Sequence, residues 1–339
     1  MIRTRQPTGR APWPLILVEG AEKSGKSWAA AQLSASERVG QTYWIDLGEG
    51  AADEYGAIKG ARYLVVEHDG TWASILGQVR EIRAEAERAA QAGEPPVVLV
   101  IDSMTAEWEL LKDWAAGRAR ETKTNKKRLA EDPNAEISIS MNFWNDATTR
   151  HRQLMTLLMT VPGIVVMTAR GKEVAALDAG GRPIEGSKDY KVEGHKSLAY
   201  DSSVWVRLSR ERPPVVVGAR SVHAGVRPGV DRPVPAPDLT LEWLVFEVLK
   251  CDPQGTRARA MTTMRAGAEA PELDNLSPSA QQLLAEAEDA ATVEGLALVW
   301  SAITAVLKAG EITLPEAEAV RRRVQALKTE MLGEAGEAA

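Results

Sequence analysis

A lysine and a serine close an eight-residue turn near the start of this chain. Gly20-Ala21-Glu22-Lys23-Ser24-Gly25-Lys26-Ser27 fits the spacing G-x-x-x-x-G-K-S/T. Glycines in such a turn let successive backbone N–H groups point at phosphate oxygens. Lys26 then reaches the terminal phosphates, and the Ser27 hydroxyl offers a hard oxygen to Mg²⁺. A second oxygen donor, Asp102, ends the apolar run "VVLVID". Hydrolysis further needs a carboxylate that takes a proton from water, and "WIDLGEG" supplies Asp46 and Glu49. These residues predict a nucleotide with Mg²⁺ as ligands. Residues 20–27 form the nucleotide loop, with Ser27 and Asp102 at the metal. Spacing alone leaves the choice between Asp46 and Glu49 open.

The elements that must hold these residues follow from the apolar pattern. "PLILVEG" reads as a strand entering the loop and "KSWAAAQLSASER" as a helix leaving it. "TYWIDLGEG", "ARYLVVEHDG", "PPVVLVIDS" and "PGIVVMTAR" read as further strands, with a long helix ending at Gly93 between the third and fourth. Near-continuous apolar strands separated by helices predict an α/β fold with a mainly parallel sheet covered on both faces. "LAYDSSVWVRLSR" and "PPVVVGARSVHAG" predict an antiparallel pair that extends the sheet. "DLTLEWLVFEVLKC" predicts an amphipathic helix capped by Asp238 or Thr240. Two polar segments, 116–142 and 171–197, lack periodicity and read as structureless insertions with a functional role. Residues 1–11 read as a flexible arm, 12–251 as the core, 252–275 as a linker and 276–336 as a small helical module. Ser277-Pro278, Gly310 and Thr313-Leu314-Pro315 punctuate three helices in that module.

Bulk properties bound the reading without choosing it. With 339 residues, 44% hydrophobic and 26% charged, the chain can bury a sizeable core, and its net charge of −6 gives no global pull toward nucleic acid. The single cysteine, Cys251, excludes an internal disulfide framework and reads as a small buried hydrophobe. The four histidines lack metal-ligand spacing, so no zinc site is expected. There is no membrane-length apolar run and no secretory signal at the start, so the expected location is cytoplasmic.

The ordered set of phosphate loop, Asp/Glu strand with a following tyrosine-containing turn, "VLVIDS" and "VVMTAR" resembles the RecA-type recombinase core. The loop with Glu22 is close to that family's G-x-E-x-x-G-K-S/T. The likeness covers about residues 12–250 and is nearest to the compact RecA-like ATPases of bacteriophages, which are linked to single-strand annealing and recombination. It implies that the nucleotide is ATP and that the glutamate ending the second strand is the catalytic base. One extra residue separates Asp from Glu in this chain, so Glu49 is preferred and Asp46 held in reserve. The resemblance also implies a γ-phosphate sensor at Thr168, with Arg170 a further candidate, and a trans-acting basic residue at Arg220 that would require self-association into a ring or filament.

In that scaffold, single-stranded DNA would meet the two polar segments. Between Lys112 and Arg128 stand seven basic residues (Lys112, Arg118, Arg120, Lys123, Lys126, Lys127, Arg128) against the acidic Asp113 and Glu121. Trp114, Phe143 and Trp144 read first as core-packing rings, with stacking on bases as the alternative. The second segment supplies Arg170, Lys172, Lys188, Lys191, His195 and Lys196, diluted by acids. The C-terminal helices carry Arg321, Arg322, Arg323 and Lys328 and suit contacts with other recombination or replication proteins as well as with DNA. The expected activity is therefore a DNA-stimulated ATPase in recombination. A helicase or helicase loader of the same fold, a small-molecule kinase, or an assembly protein that holds nucleotide without turnover are the alternatives.

Overall fold

The computed structural model describes residues 4, 6–178, 180–224, 233–261, 276–290 and 292–337. Much of the expected linker, 262–275, and parts of the expected arm lie outside the described residues. The chain divides into two compact units, Met1–Met261 and Thr262–Ala339.

The first unit runs β1 (Leu15–Gly20), α1 (Lys26–Ser34), β2 (Thr42–Asp46), α2 (Ala52–Tyr55), β3 (Tyr63–Val65), α3 (Trp72–Ala92), β4 (Val98–Asp102) and α4 (Met104–Arg120). It continues through α5 (Lys123–Glu131), α6 (Met141–Met159), β5 (Ile164–Leu177), β6 (Pro183–Glu193), α7 (Leu198–Asp201), β7 (Val204–Leu208), β8 (Val215–Ala219) and β9 (Val234–Pro235). It ends in α8 (Leu241–Trp243), which passes into a π-helical turn, Leu244–Val248. Of the two expected caps for this last helix, Thr240 fills the role, its hydroxyl accepting from the Trp243 N–H at 3.1 Å.

Among the described residues one nine-stranded sheet forms, in the order β3-β2-β4-β5-β1-β7-β8-β9, with β6 paired to the outer part of β5. Strands β1, β2, β3, β4, β5 and β7 are mutually parallel, and β8 returns antiparallel on β7. Alternate residues of each central strand feed opposite faces. Leu15, Leu17, Leu99, Ile101, Val165 and Met167 pack under α3, α4 and α6. Ile16, Val18, Val98, Val100, Ile164 and Val166 pack against α1 and the 241–248 helix. Both faces are therefore dry, and this is why the strands read as continuous apolar runs.

The two segments expected to be structureless are ordered. Residues 116–142 hold the end of α4, the whole of α5 and the start of α6. Their organiser is polar: buried Asn125 donates to the carbonyls of Ala119 (2.8 Å) and Ser138 (2.9 Å) and accepts from Ser138 N–H (3.2 Å). An asparagine-centred fold leaves no hydrophobic period to read. Residues 171–197 contain the β5–β6 hairpin, in which Lys172 faces Lys191 and Glu173 faces Tyr190. Its turn is held by the Asp178 carboxylate, which accepts from Gly180 N–H (2.8 Å) and Arg182 N–H (2.9 Å). Solvent reaches the ribbon broadly, so polar residues occupy it and the alternation is masked.

The base of the hairpin is fastened to α4 and α6. The Thr105 hydroxyl accepts from Arg170 N–H (2.9 Å) and donates to the Glu193 carbonyl (2.5 Å). Just beyond β6, His195 is buried between His151, 4.2 Å away between ring centroids, and Trp108, at 4.8 Å. His151 Nδ1 lies 3.0 Å from Glu107 Oε2, and both groups are buried. His195 was expected to add charge to a nucleic-acid surface. Instead it is a packing residue, held neutral at pH 7 because burial, followed by His151, pushes its imidazole down to about 4.

The second unit contains α9 (Pro278–Glu288), α10 (Val293–Ala309) and α11 (Leu314–Glu337) around a core that includes Leu283, Leu296, Ile303, Val320 and Val324. Pro278 stands at the first turn of α9, and Gly310 ends α10 in the left-handed conformation. Among the described residues no helix is long and apolar enough to cross a membrane.

The buried imidazole predicts an acid-sensitive fold. His195 faces His151, Lys196, Arg152 and Asp201, with Glu107 next on His151. Its folded pKa lies below the ordinary value of about 6.5, so the unfolded chain takes up the proton first on acidification. Its contribution to stability is intact above that value and is lost as pH falls toward 4. Urea midpoints measured from pH 7 to pH 4 should fall, and His195→Gln should flatten this part of the slope. An equal slope in the variant would contradict the assignment.

Candidate functional site

The phosphate loop sits at the C-terminal end of β1, and its conformation follows from its residues. A Cβ on Gly20 would collide with the Leu208 carbonyl oxygen. Gly25 has φ 94° and Lys23 φ 57°, so one glycine and one lysine occupy the left-handed region. Lys26 Nζ donates to the carbonyls of Gly20 (3.0 Å) and Ala21 (2.9 Å). Burial lowers its pKa, while Glu49 and Asp102 pull it back up. The ammonium is thus held by carbonyls of its own loop and by nearby carboxylates.

Asp102 ends β4 and is buried. One of its oxygens accepts the Thr168 hydroxyl, and the other, Oδ2, is buried with no hydrogen-bond partner among the described residues. Burial raises its pKa, while the hydroxyls of Thr168 and Ser27 lower it. Ser27 is therefore beside this carboxylate, and the pair offers hard oxygens where Mg²⁺ would be held. The donor set fits that ion, which takes one or two protein oxygens and completes its shell with phosphate and water. Among the described residues no cluster of three or more acidic, histidine or cysteine groups forms a separate metal cage.

The two carboxylates left open by spacing have different surroundings. Asp46 Oδ1 accepts from the N–H groups of Gly48 (3.0 Å), Glu49 (2.9 Å) and Gly50 (3.1 Å). Asp46 thus organises the loop after β2, whose Gly48 and Gly50 have φ 99° and 65°. Glu49 projects from that loop. Its Oε1 accepts from the Ser103 hydroxyl and from Arg170, each at 3.0 Å. Ser103 also caps α4 by accepting from Ala106 N–H at 3.2 Å.

A cleft of about 540 Å³ collects these groups. It is lined by residues 22–27, Glu49, Ala51, Tyr55, Asp102, Arg170, Gly171, Lys172 and Glu193. Parallel strands β1, β2 and β4 end here and β5 passes it at Arg170 on its way into the hairpin, which places separate sequence segments side by side. A second cavity of about 440 Å³, lined by Val216, Val234, Pro235, Leu239, Trp243 and Val248 among others, has Asp238 as its one ionisable lining residue among the described residues.

The remaining expected site residues are placed as follows. Thr168 is fully buried and gives its hydroxyl to Asp102, outside the cleft lining, whereas Arg170 lines the cleft. Arg220 follows β8 at the opposite end of the sheet. Its N–H donates to the Ser203 carbonyl beside the start of β1, and its guanidinium donates to the Tyr200 carbonyl at 3.1 Å. It is therefore remote from the loop of its own chain. Sequence reasoning did not assign Ser103, because its role depends on a hydroxyl meeting Glu49 across 54 residues. It also passed over Trp28, which meets Tyr55 of the tyrosine-containing turn edge-to-face with centroids 6.1 Å apart next to the loop. Their tie is a fold contact between α1 and α2.

In the 112–128 segment, Lys112, Arg118 and Lys126 are ion-paired with Glu109, Asp146 and Glu121. Arg120, Lys123, Lys127 and Arg128 have no carboxylate partner among the described residues. Arg128 instead donates to the Glu136 carbonyl at 2.9 Å. Trp114 and Phe143 pack on the core, with Arg118 5.1 and 5.0 Å from their centroids and Arg150 4.2 Å from that of Trp114. Those ring faces are occupied.

Residues 14–221 match the family model described as AAA domain. An ATPase from the type III secretion system of pathogenic bacteria is similar at 14% identity and a TM-score of 0.36, over 58% of this chain and 51% of that one. The RadB recombinase is similar at 15% identity and a TM-score of 0.31, over 62% of this chain and 84% of that one. This chain thus spans about half the length of the secretion ATPase. No curated protein matches it.

The loop geometry separates the roles of the two carboxylates experimentally. Asp46→Ala frees three amides and loosens the support of Glu49. It should lower kcat about tenfold or more with nucleotide affinity little changed, since it disturbs a positioned group rather than a phosphate contact. Steady-state kinetics beside nucleotide titration checks this, and a purely KM effect would contradict it.

Proposed function

We propose that this chain, which belongs to the AAA domain family, is an ATPase that binds single-stranded DNA and promotes annealing or strand exchange in recombination of the bacteriophage type. The observation that carries the ATPase part is the convergence of Lys26, Ser27, Asp102, Glu49 and Arg170 on one cleft. In this reading the loop N–H groups and Lys26 hold the phosphates of ATP, and Ser27 with Asp102 would hold Mg²⁺, which would supply charge neutralisation on the phosphate oxygens. Glu49 takes a proton from water as the water oxygen bonds the γ-phosphorus. The bond from that phosphorus to the β–γ bridging oxygen breaks, leaving ADP and inorganic phosphate. Ser103 orients Glu49, and Arg170 stands where it can exchange the carboxylate for the terminal phosphate. Arg170 suits the sensor role better than Thr168, whose hydroxyl is committed to Asp102.

The DNA part is supported by the cations of α4 and α5 that have no carboxylate partner among the described residues, Arg120, Lys123, Lys127 and Arg128, and by Lys172 and Lys191 on the hairpin. Self-association is favoured by the position of Arg220, which can meet a phosphate loop only if that loop belongs to another subunit. The C-terminal module is assigned to partner contacts rather than DNA, because Arg321 bonds Thr304 (2.9 Å) and Arg323 pairs with Glu288 (2.6 Å).

Turnover measured with and without single-stranded DNA tests the proposal. Lys26→Ala and Glu49→Gln should each lower kcat by roughly 100-fold or more, as expected for groups that act on developing charge or the attacking water. Single-stranded DNA should raise turnover in the parent protein. No stimulation, together with no DNA retention in the presence of a non-hydrolysable ATP analogue, would sink the DNA reading. Phosphate transfer to a nucleoside would point to a kinase instead.

The proposed surface has its own signature. Affinity for single strands should weaken with salt at a slope of about −0.7 per phosphate contact in log–log form, so Lys123→Ala with Lys127→Ala should make the slope shallower by about 1.4. Titrations at several salt concentrations would show this, and an unchanged slope would place the DNA elsewhere.

A further inference from the structure

Glu19 immediately precedes the phosphate loop and is fully buried. It sits on the β1 face that otherwise presents Leu15 and Leu17 to the core. One carboxylate oxygen accepts from Arg207 Nε on β7. The other is buried without a hydrogen-bond partner among the described residues. A Cβ at Gly171, where the hairpin leaves the sheet, would collide with that second oxygen. The Arg207 guanidinium in turn lies 4.3 Å from the centroid of Tyr190. Tyr190 faces Glu173 across the hairpin and donates its hydroxyl to that carboxylate at 2.6 Å.

A buried ion pair gives a sheet no more stability than well-packed apolar residues would, and losing one partner is costly. What this pair does have is position. It joins the hairpin, through Tyr190, to the residue bonded to Gly20, whose carbonyl holds Lys26 at 3.0 Å. We propose that the Tyr190–Arg207–Glu19 stack is a positioning relay that couples the β5–β6 hairpin to the phosphate loop, so that nucleotide binding moves the hairpin. Lys26 must leave the Gly20 and Ala21 carbonyls to meet a phosphate, which alters the end of β1 and hence the carboxylate wedged between Gly171 and Arg207. The Glu19 charge is also felt at the Lys26 ammonium. The relay rests on the nucleotide-binding reading of the loop and is independent of any nucleic-acid partner.

An environment-sensitive fluorophore on the hairpin reads the relay directly. Ile184→Cys provides an exposed attachment point, while the native Cys251 is buried with its thiol pushed up to about 12 and stays unlabelled. In the labelled full-length protein, a saturating non-hydrolysable ATP analogue should shift the emission. Tyr190→Leu and Arg207→Lys should each cut that shift about fivefold or more while analogue affinity stays within about threefold, and Tyr190→Phe, which keeps the ring, should retain it. An equal shift in Tyr190→Leu and Arg207→Lys overturns the relay. So does analogue binding that leaves the parent's emission unchanged, with the nucleotide reading intact. Absence of analogue binding in the parent overturns both.

Discussion

A sheet buried on both faces carries few polar side chains along its central strands, and each needs a partner, so the chemistry collects where the apolar runs end. Strands β1 as far as Val18, β4 as far as Ile101 and β5 as far as Met167 are apolar and pack against helices above and below. Because they run parallel, their C-terminal ends share one edge, and β2 joins them there. The phosphate loop, Asp102, Glu49 and Arg170 are brought together by this single constraint. The register fixes which residue stands beside which: Asp46 lies level with Asp102, and Gly20 with Arg170.

Charge at that edge is arranged by partial burial. Asp102 is buried and held by Thr168, with one oxygen that has no hydrogen-bond partner among the described residues, and Lys26 is turned onto its own loop. Groups in a low-dielectric setting interact more strongly than they would in water, and an unsatisfied one carries a desolvation cost that a ligand can relieve. Asp46 takes a supporting part. By accepting three amides it holds the loop from which Glu49 reaches Ser103 and Arg170. Outside the cleft, Glu19 and Arg207 extend the same logic beneath the loop, and the hairpin is anchored to the helices through Thr105 and His195.

What was legible beforehand divides along physical lines. The strands and the nucleotide loop were readable because apolar runs and the Gly-Lys-Ser spacing are local signals. The antiparallel β7–β8 pair and the three C-terminal helices were readable for the same reason. Helix α5 and the β5–β6 hairpin were not, since buried Asn125 and the Asp178 turn organise them through polar bonds that leave no periodicity. His195 looked like surface charge within a run of lysines and glycines, yet it is enclosed by Trp108 and His151 from separate helices.

The sequence by itself determined the α/β class, the identity of the phosphate loop, and the candidacy of Asp102, Asp46 and Glu49. Each of these depends on residue types a few positions apart. The tertiary structure decided which carboxylate faces the cleft and which supports it. It turned Thr168 toward Asp102 and Arg170 toward Glu49, and it set Arg220 at the far end of the sheet from its own loop. It also enclosed Glu19 beside Arg207, 188 positions away along the chain. The reason is that hydrogen bonding and burial are set by neighbours in space, and in a parallel sheet those neighbours come from strands separated by whole helices.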